Sequence, residues 1–311
     1  MRNLFRAYCR IPLFFFSLFL VLFPSHTAEG YHQYNENATV IGKLKTYTTK
    51  TNESLIEIAR KFGIGYNEIV DANPGLDPFV PGDGESIAVP TAWILPEMLD
   101  YEGIIINLSE MRLYYFPKKN PSRKVWTFPI GIGDEGTDTP LGTFRVVEKI
   151  ADPPWNVPAS ISQERPELPK VVPPGPDNPL GSHALRLSSM SILIHGTNRP
   201  YAVGRRASHG CIRMYPEDIP SLFRIVPNKT NVSIVKQPVK IGWLNQKIYI
   251  EVHKDISLKD FNYFDEAVRL LRKNNLYEKI DKEKMLSALR EKRGMPVIIS
   301  PQENTKGLRT P

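Results

Sequence analysis

Two residues of this chain pair naturally as a nucleophile and its base. An apolar run, Ile192 to Ile194, delivers His195 at its end, where side chains leave a core and meet solvent, and Gly196 follows at once. Sixteen residues after His195 stands Cys211, within Ser208-His209-Gly210-Cys211-Ile212-Arg213. A thiol with a pKa of about 8.5 is mostly protonated at neutral pH. An adjacent imidazole can take that proton and remain as a counter-charge while the sulfur attacks an acyl carbon. Gly210 lets a substrate carbonyl approach the backbone closely, so the N–H groups around Gly210 and Cys211 are natural oxyanion donors. His195 is the favoured base. His209 is the second candidate, because alternation along an extended segment sets it on the same side as Cys211; otherwise it fixes the loop or positions substrate. Ser208 either orients His209 or satisfies a turn. Arg213 suits a substrate carboxylate, with a surface ion pair as the plain alternative.

The start of the chain bears on that thiol. Arg2, Arg6 and Arg10 precede an apolar run from Ile11 to Phe23, followed by the small and polar stretch Ser25 to Gly30. That is the build of a secretory signal peptide over 1–30. The run is broken by Pro12 and falls short of the ~20 residues that a spanning helix needs. Small residues at Ala28 and Gly30 place cleavage near Ala28 to Gly30, with Tyr31 as the expected first mature residue. Cys9 leaves with the leader, and Cys211 is the single cysteine that remains. In an oxidising compartment a lone thiol calls for a reason, although a lone Cys is commonly just a small buried hydrophobe. Net charge is +7 over 311 residues, with no Lys/Arg cluster interleaved with aromatics. This excess suits an anionic envelope and argues against a nucleic-acid partner.

The elements that must position these residues fall into three regions. From Lys43 to Pro90 the pattern reads strand, helix, helix, strand. Lys45 to Thr49 is β-prone, Asn52 is a candidate helix cap, and Leu55, Ile58, Ala59 and Phe62 recur on one helical face until Gly63. A second short helix runs through Glu68, Ile69 and Val70 to Asn73, and a closing strand spans Ser86 to Val89. From Ile104 the pattern becomes short strands: Ile104 to Leu108, Arg112 to Phe116, Val125 to Ile130, Thr143 to Val147, Ala184 to Leu187, Ile192 to Ile194 and Val232 to Val235. Their spacing and the Gly, Pro and Asn turns between them predict a β-sandwich-like domain rather than βαβ units. Asn107 to Glu110 reads as the first hairpin turn.

Between Pro153 and Pro179 lie nine prolines in 27 residues. That density excludes helix interiors and central strands, so the segment reads as a long structureless loop, favoured as a lid or substrate-groove wall over a spacer. From about Lys254 a helical pattern runs through Leu258, Phe261, Phe264, Ala267, Val268 and Leu271. A weaker helix spans roughly Lys282 to Lys292. The extension covers 237–295, and the polar tail, 296–311, is expected to be disordered.

The 43–90 unit resembles the lysin motif (LysM), with its aromatic start and then Leu, Ile-Ala, Phe-Gly, Ala-Asn-Pro, Pro-Gly and Ile-x-Val-Pro in order; Asn52, Glu53 and Ser54 replace the usual Gly-Asp-Thr. The resemblance implies a βααβ module binding N-acetylglucosamine-containing glycan. His195-Gly-Thr and Ser208-His-Gly-Cys211 resemble the active-site signature of the L,D-transpeptidase catalytic domain, here over 102–236. Thr139 to Phe144 is similar to a second family motif, and Arg213 stands where many members carry Asn. The implied fold is mainly β. The implied reaction is attack by Cys211 on the bond between the diamino acid at position three of a peptidoglycan tetrapeptide stem and its terminal D-Ala. The acyl group then passes to an amine: another stem's diamino acid, or a Lys of an outer-membrane lipoprotein. The segments Pro238 to Trp243 and Ile248 to His253, and the Pro-rich loop, resemble the lipoprotein-anchoring branch. The family further implies a periplasmic location, acylation by carbapenems, and neither metal nor cofactor.

Three other readings compete. His195, His209 and Cys211 are acceptable ligand types for a zinc hydrolase, though no further carboxylate or base signature accompanies them. A non-catalytic wall-binding protein would use the LysM unit alone, and a carboxypeptidase would use water as acceptor.

Overall fold

A computed structural model describes residues 30–189 and 192–301. The expected signal peptide, apart from Gly30, and residues 302–311 lie outside the described residues. Among those described, no helix is long and apolar enough to cross a membrane.

The short strands assemble into a nine-stranded mixed sheet. Its order is Tyr31–Gln33, Lys124–Pro129, Arg112–Phe116, Gly103–Asn107, Asn231–Val235, Gly142–Ala151, His183–Leu187, Leu193–His195 and Ile212–Arg213. Neighbours are antiparallel except that Asn231–Val235 runs parallel to Gly103–Asn107, and Ile212–Arg213 parallel to Leu193–His195. A parallel pair cannot be closed by a tight turn. The connection that closes the second of these pairs is the segment between His195 and Cys211.

Side-chain alternation explains how the sheet is covered on both sides. Ile104 and Ile106 join Leu113, Tyr115, Leu185, Ile194 and Ile212 in one core, against the helix Ile219–Ile225. Ile105, Tyr114 and Phe116 point the other way, into a cluster that contains Leu55, Ile58 and Ile69 of the LysM unit. A strand apolar at successive positions is a strand buried on both faces. The LysM unit is thus packed onto the sheet with a shared core, where the sequence suggested two separate modules.

Within that unit the order is Lys45–Thr48, helix Leu55–Lys61, helix Tyr66–Ala72 and Ser86–Val89, the outer strands pairing antiparallel. Asn52 is not the helix cap. Its backbone is left-handed, at φ 63, and Ser54 caps instead. The Ser54 hydroxyl accepts from Glu57 N while the Glu57 carboxylate accepts from Ser54 N, which satisfies two donors that the helix cannot pair internally. Asn73 ties the second helix to the closing strand, donating to Ile69 O and Ala88 O and accepting from Ala88 N, each within 2.8 Å. Glu68 crosses to the sheet. Its carboxylate takes hydrogen bonds from Arg112, at 2.8 Å, and from Trp93 Nε1, and the Arg112 guanidinium stacks 4.0 Å over the Trp93 ring. All three side chains are buried.

The Pro-rich segment is more ordered than its composition suggested. Trp155–Asn156 pairs with Val171–Val172, and a short helix, Ala159–Glu164, lies between them. Prolines occupy the flanks of these pairs, where no N–H is required. Asn178, fully buried, clips the segment shut, donating to Pro153 O, Val172 O and Pro173 O and accepting from Leu180 N. Asn178→Ala would leave the buried Pro153 carbonyl without its donor, at a local cost of about 1–3 kcal/mol. Limited proteolysis should then cut within 153–179 faster than in wild type, while the melting of the nine-stranded sheet changes little.

The C-terminal extension contains a sheet as well as helices. Val239–Leu244 and Lys247–Val252 form a hairpin turning at Asn245 and Gln246, both at positive φ, and Val297–Ile298 adds a third strand. Two expectations are corrected here. The first helix is Tyr263–Lys273, capped by Asn262, so Leu258 and Phe261 precede it; the Asn262 side chain takes the orphan amides of Phe264 and Asp265. The expected tail is ordered at least to Ile299, which is fully buried against the Lys282–Glu291 helix and its neighbours.

Candidate active site

Strand register settles which side chains meet at the site. In the parallel pair, Ile194 lies opposite Ile212 and His195 opposite Arg213. Directly paired residues point to the same face and successive ones alternate. Ile194 and Ile212 therefore enter the core, where both are fully buried. His195, Arg213 and, one step back, Cys211 share the opposite face. Met214 N donates to His195 O at 2.8 Å and locks the register.

His195 is buried, and its Nδ1 lies 2.6 Å from the carbonyl oxygen of Gly196. A carbonyl only accepts, so the neutral ring carries its proton on Nδ1 and presents Nε2 as a base. Burial, followed by the Arg213 charge, pushes the His195 pKa down to about 4, against the pull of the Gly196 and Leu180 carbonyls. Cys211 is half-buried. Burial raises its thiol above the ordinary value, opposed by a hydrogen bond with the Leu193 backbone and by Arg213. Burial thus weighs against the charged form of both groups, the thiolate as well as the imidazolium.

The other expected residues divide. Gly210 stands at φ +93, a conformation open to glycine at little cost, and it turns the chain from the Arg206–Ser208 strand toward Cys211. That turn ends the alternation which would have set His209 beside Cys211; His209 sits exposed on the bend. Ser208 does not orient His209. It is buried, and its hydroxyl donates to Cys211 O at 2.5 Å, which satisfies the turn. Gly196 serves through its carbonyl. Arg213 is half-buried, with its pKa lowered by burial and then by Arg199. The zinc reading needs His195, His209 and Cys211 to converge. Among the described residues the His/Cys/Asp/Glu group whose ligand atoms lie within 4.8 Å of one another is Glu110, Glu251 and His253, at another place in the fold.

Thr139 opens the Thr139 to Phe144 motif, but its residue type by itself points to no role. It is buried, donates to Gly210 O at 3.1 Å and accepts from Gly133 N at 3.0 Å, so it holds the bend from below. The end of the Pro-rich segment also reaches the site: Asp177 O accepts from Asn198 Nδ2 at 2.8 Å, and Leu180 O faces the His195 ring. No sequence signal marked Leu180, because a backbone carbonyl leaves none.

A model of the L,D-transpeptidase catalytic domain (YkuD) matches residues 102–241, and a LysM domain model matches 47–78. The probable L,D-transpeptidase YcfS of Escherichia coli K12 is 40% identical over 230 residues, 71% of each chain. The probable L,D-transpeptidase ErfK/SrfK of the same strain is 37% identical over 298 residues, covering 91% of this chain and 95% of the relative. The probable L,D-transpeptidase YbiS is 34% identical over 288 residues, covering 88% and 93%. With a His and a Cys on one face of a parallel strand pair, in a chain aligned along nearly the full length of such relatives, the protein belongs to the L,D-transpeptidase family.

Proposed function

We propose that the chain is an exported periplasmic acyltransferase of peptidoglycan. Cys211 attacks the carbonyl joining the diamino acid at position three of a tetrapeptide stem to its terminal D-Ala. As the C–S bond forms, the thiol proton passes to His195 Nε2, and from there to the leaving D-Ala amine when the C–N bond breaks. An amine then attacks the thioester and gives its proton to His195, which returns it to the Cys211 sulfur as the C–S bond breaks. The observation that carries this reading is the shared face of His195 and Cys211, with Nδ1 committed to Gly196 O and Nε2 left to act as base. The N–H groups of Gly210 and Cys211 serve the developing oxyanion, a contribution worth about 10²- to 10³-fold in rate per donor. Arg213 offers a guanidinium to a substrate carboxylate, and His209, exposed at the rim, meets substrate from the open side.

The acceptor is a Lys of an outer-membrane lipoprotein or the diamino acid of a second stem; resemblance of the extension and the Pro-rich segment to the anchoring branch favours the former. The LysM unit binds the glycan, and carbapenems acylate Cys211. Mass spectrometry tests the whole reading. The protein starting at Tyr31 is incubated with disaccharide-tetrapeptide, with and without a Lys-containing lipoprotein peptide, beside a Cys211→Ala control. D-Ala loss that requires Cys211 supports the acyl-enzyme, and the mass of the product identifies amine or water as acceptor. Folded protein yielding neither adduct nor product would overturn it in favour of a wall-binding role.

A further inference from the structure

We infer that the second LysM helix is a working part of the active-site scaffold: Tyr66 and its neighbours position the segment that carries Ser208 and Cys211. The inference rests on the acyl-transfer reading above and adds positioning residues that lie more than 100 positions away in sequence.

The segment between His195 and Cys211 is held from two sides. On the sheet side, Gly204 N donates to Ile130 O at 3.0 Å, Arg205 O accepts from Ile132 N at 3.1 Å, and Arg206–Ser208 pairs with Ile132–Gly133. On the LysM side, Tyr66 N donates to Val203 O at 3.3 Å and Asn67 N to Gly204 O at 3.2 Å. These are amides of a first helical turn, which the helix cannot pair internally, so the loop supplies the acceptors they need. The Arg205 guanidinium lies 3.6 Å from the centre of the Tyr66 ring, a close cation–π contact. Backbones meet without room for a side chain: a Cβ on Gly204 would fall 2.1 Å from Tyr66 N. A few residues farther on, Ser208 Oγ holds Cys211 O. A displacement at Val203 to Arg205 is therefore passed along a short strand to the sulfur, and misplacement of reacting atoms by about 1 Å costs on the order of 100-fold in rate. This is a different task from glycan binding, and it gives the half-buried Tyr66 a role that its place at the start of a helix does not require.

Three variants test it: Tyr66→Ala, Tyr66→Phe and Arg205→Ala, with the Tyr66→Ala/Arg205→Ala double. Two readouts are taken on full-length mature protein, amide hydrogen exchange over 203–211 and kcat for Cys211-dependent D-Ala release. Tyr66→Ala should raise exchange in 203–211 and lower kcat by about 10- to 100-fold with KM little changed. Exchange in Asn231–Val235 should stay at the wild-type rate. Tyr66→Phe keeps the ring face and should restore both readouts. Arg205→Ala should match Tyr66→Ala, and the double should add nothing, since both remove one contact. Wild-type exchange in 203–211 in folded Tyr66→Ala, or additive losses in the double, would overturn the inference. If wild type itself releases no D-Ala, the acyl-transfer reading fails, and the rate of Cys211 alkylation by iodoacetamide replaces kcat: unchanged alkylation in Tyr66→Ala overturns the positioning role, and slowed or accelerated alkylation with faster exchange supports it.

Discussion

Replacing His195 by alanine should lower Cys211-dependent D-Ala release by about 10²- to 10⁴-fold, the range in which a positioned acid–base group contributes. The loss should fall on kcat, because His195 is buried and its proposed role is proton transfer. The pH profile separates this from a loss of fold. With the His195 pKa near 4, the imidazole is neutral and able to accept a proton throughout the ordinary range. Wild-type kcat/KM should consequently hold down to about pH 5 and fall only below it, as the ring takes a proton from solvent. A base at the ordinary histidine value would lose activity as the pH falls through about 6.5. On the alkaline side the thiol, raised by burial, stays protonated beyond its usual value, so an upward limb should appear only there. In His195→Ala the acid limb should vanish and the residual rate should climb with thiolate alone. A wild-type midpoint near 6.5 would overturn His195 as the base.

Lys240→Met should destabilise the protein by about 3–5 kcal/mol, the usual consequence of stripping one partner from a buried charge cluster. Lys240 is buried where three regions meet. Its ammonium donates to Ile94 O at 2.6 Å, to Glu110 at 2.6 Å and to Glu251 at 2.9 Å, and His253 Nε2 lies 2.6 Å from Glu251. Ile94 ends the strand leading out of the LysM unit, Glu110 sits on the first hairpin of the sheet, and Lys240, Glu251 and His253 belong to the extension. Without the ammonium, two buried carboxylates share one imidazole. Burial pushes Glu251 up, yet Lys240 and then His253 outweigh it and hold its carboxyl below the ordinary value. A depressed carboxylate contributes stability above about pH 4.5 that is lost as pH falls through the lower folded value. In Lys240→Met that support is removed, so the deficit in urea-unfolding free energy should be full near pH 7 and shrink on acidification as the carboxylates protonate. A variant as stable as wild type at pH 7 would mean that the cluster sits in a wetter, more forgiving place.

Much of the fold was legible locally. Helical spacing placed Leu55–Lys61 and Lys282–Glu291, and a short apolar, β-prone run bounded by turn residues placed Arg112–Phe116. Apolar runs with turn residues between them are short-range signals, and local backbone preference obeys them. The errors were of one kind. Asn52 and Ser54 are both good capping types, and only the path of the preceding turn decides between them. Nine prolines ruled out long regular elements but not a two-residue pairing held by Asn178. Leu258 and Phe261 continue the apolar period of Tyr263–Lys273, yet they pack from outside the helix that Asn262 begins.

The amino-acid sequence by itself determined the parts: a His at the end of an apolar strand with a Cys sixteen residues on, a βααβ unit, a β-rich middle and a helical end, because each follows from residue types at fixed local spacing. Tertiary structure decided the relations. It put His195, Cys211 and Arg213 on one face through the parallel pairing, placed Gly196 O against Nδ1, and set burial that weighs against the charged forms of thiol and imidazole. It also laid Ile105, Tyr114 and Phe116 on the LysM helices and buried Arg112 against Glu68. None of these could be read in advance, because the local pattern shows that a face is apolar or a charge is present, and only the packed chain supplies the surface or counter-charge that meets it.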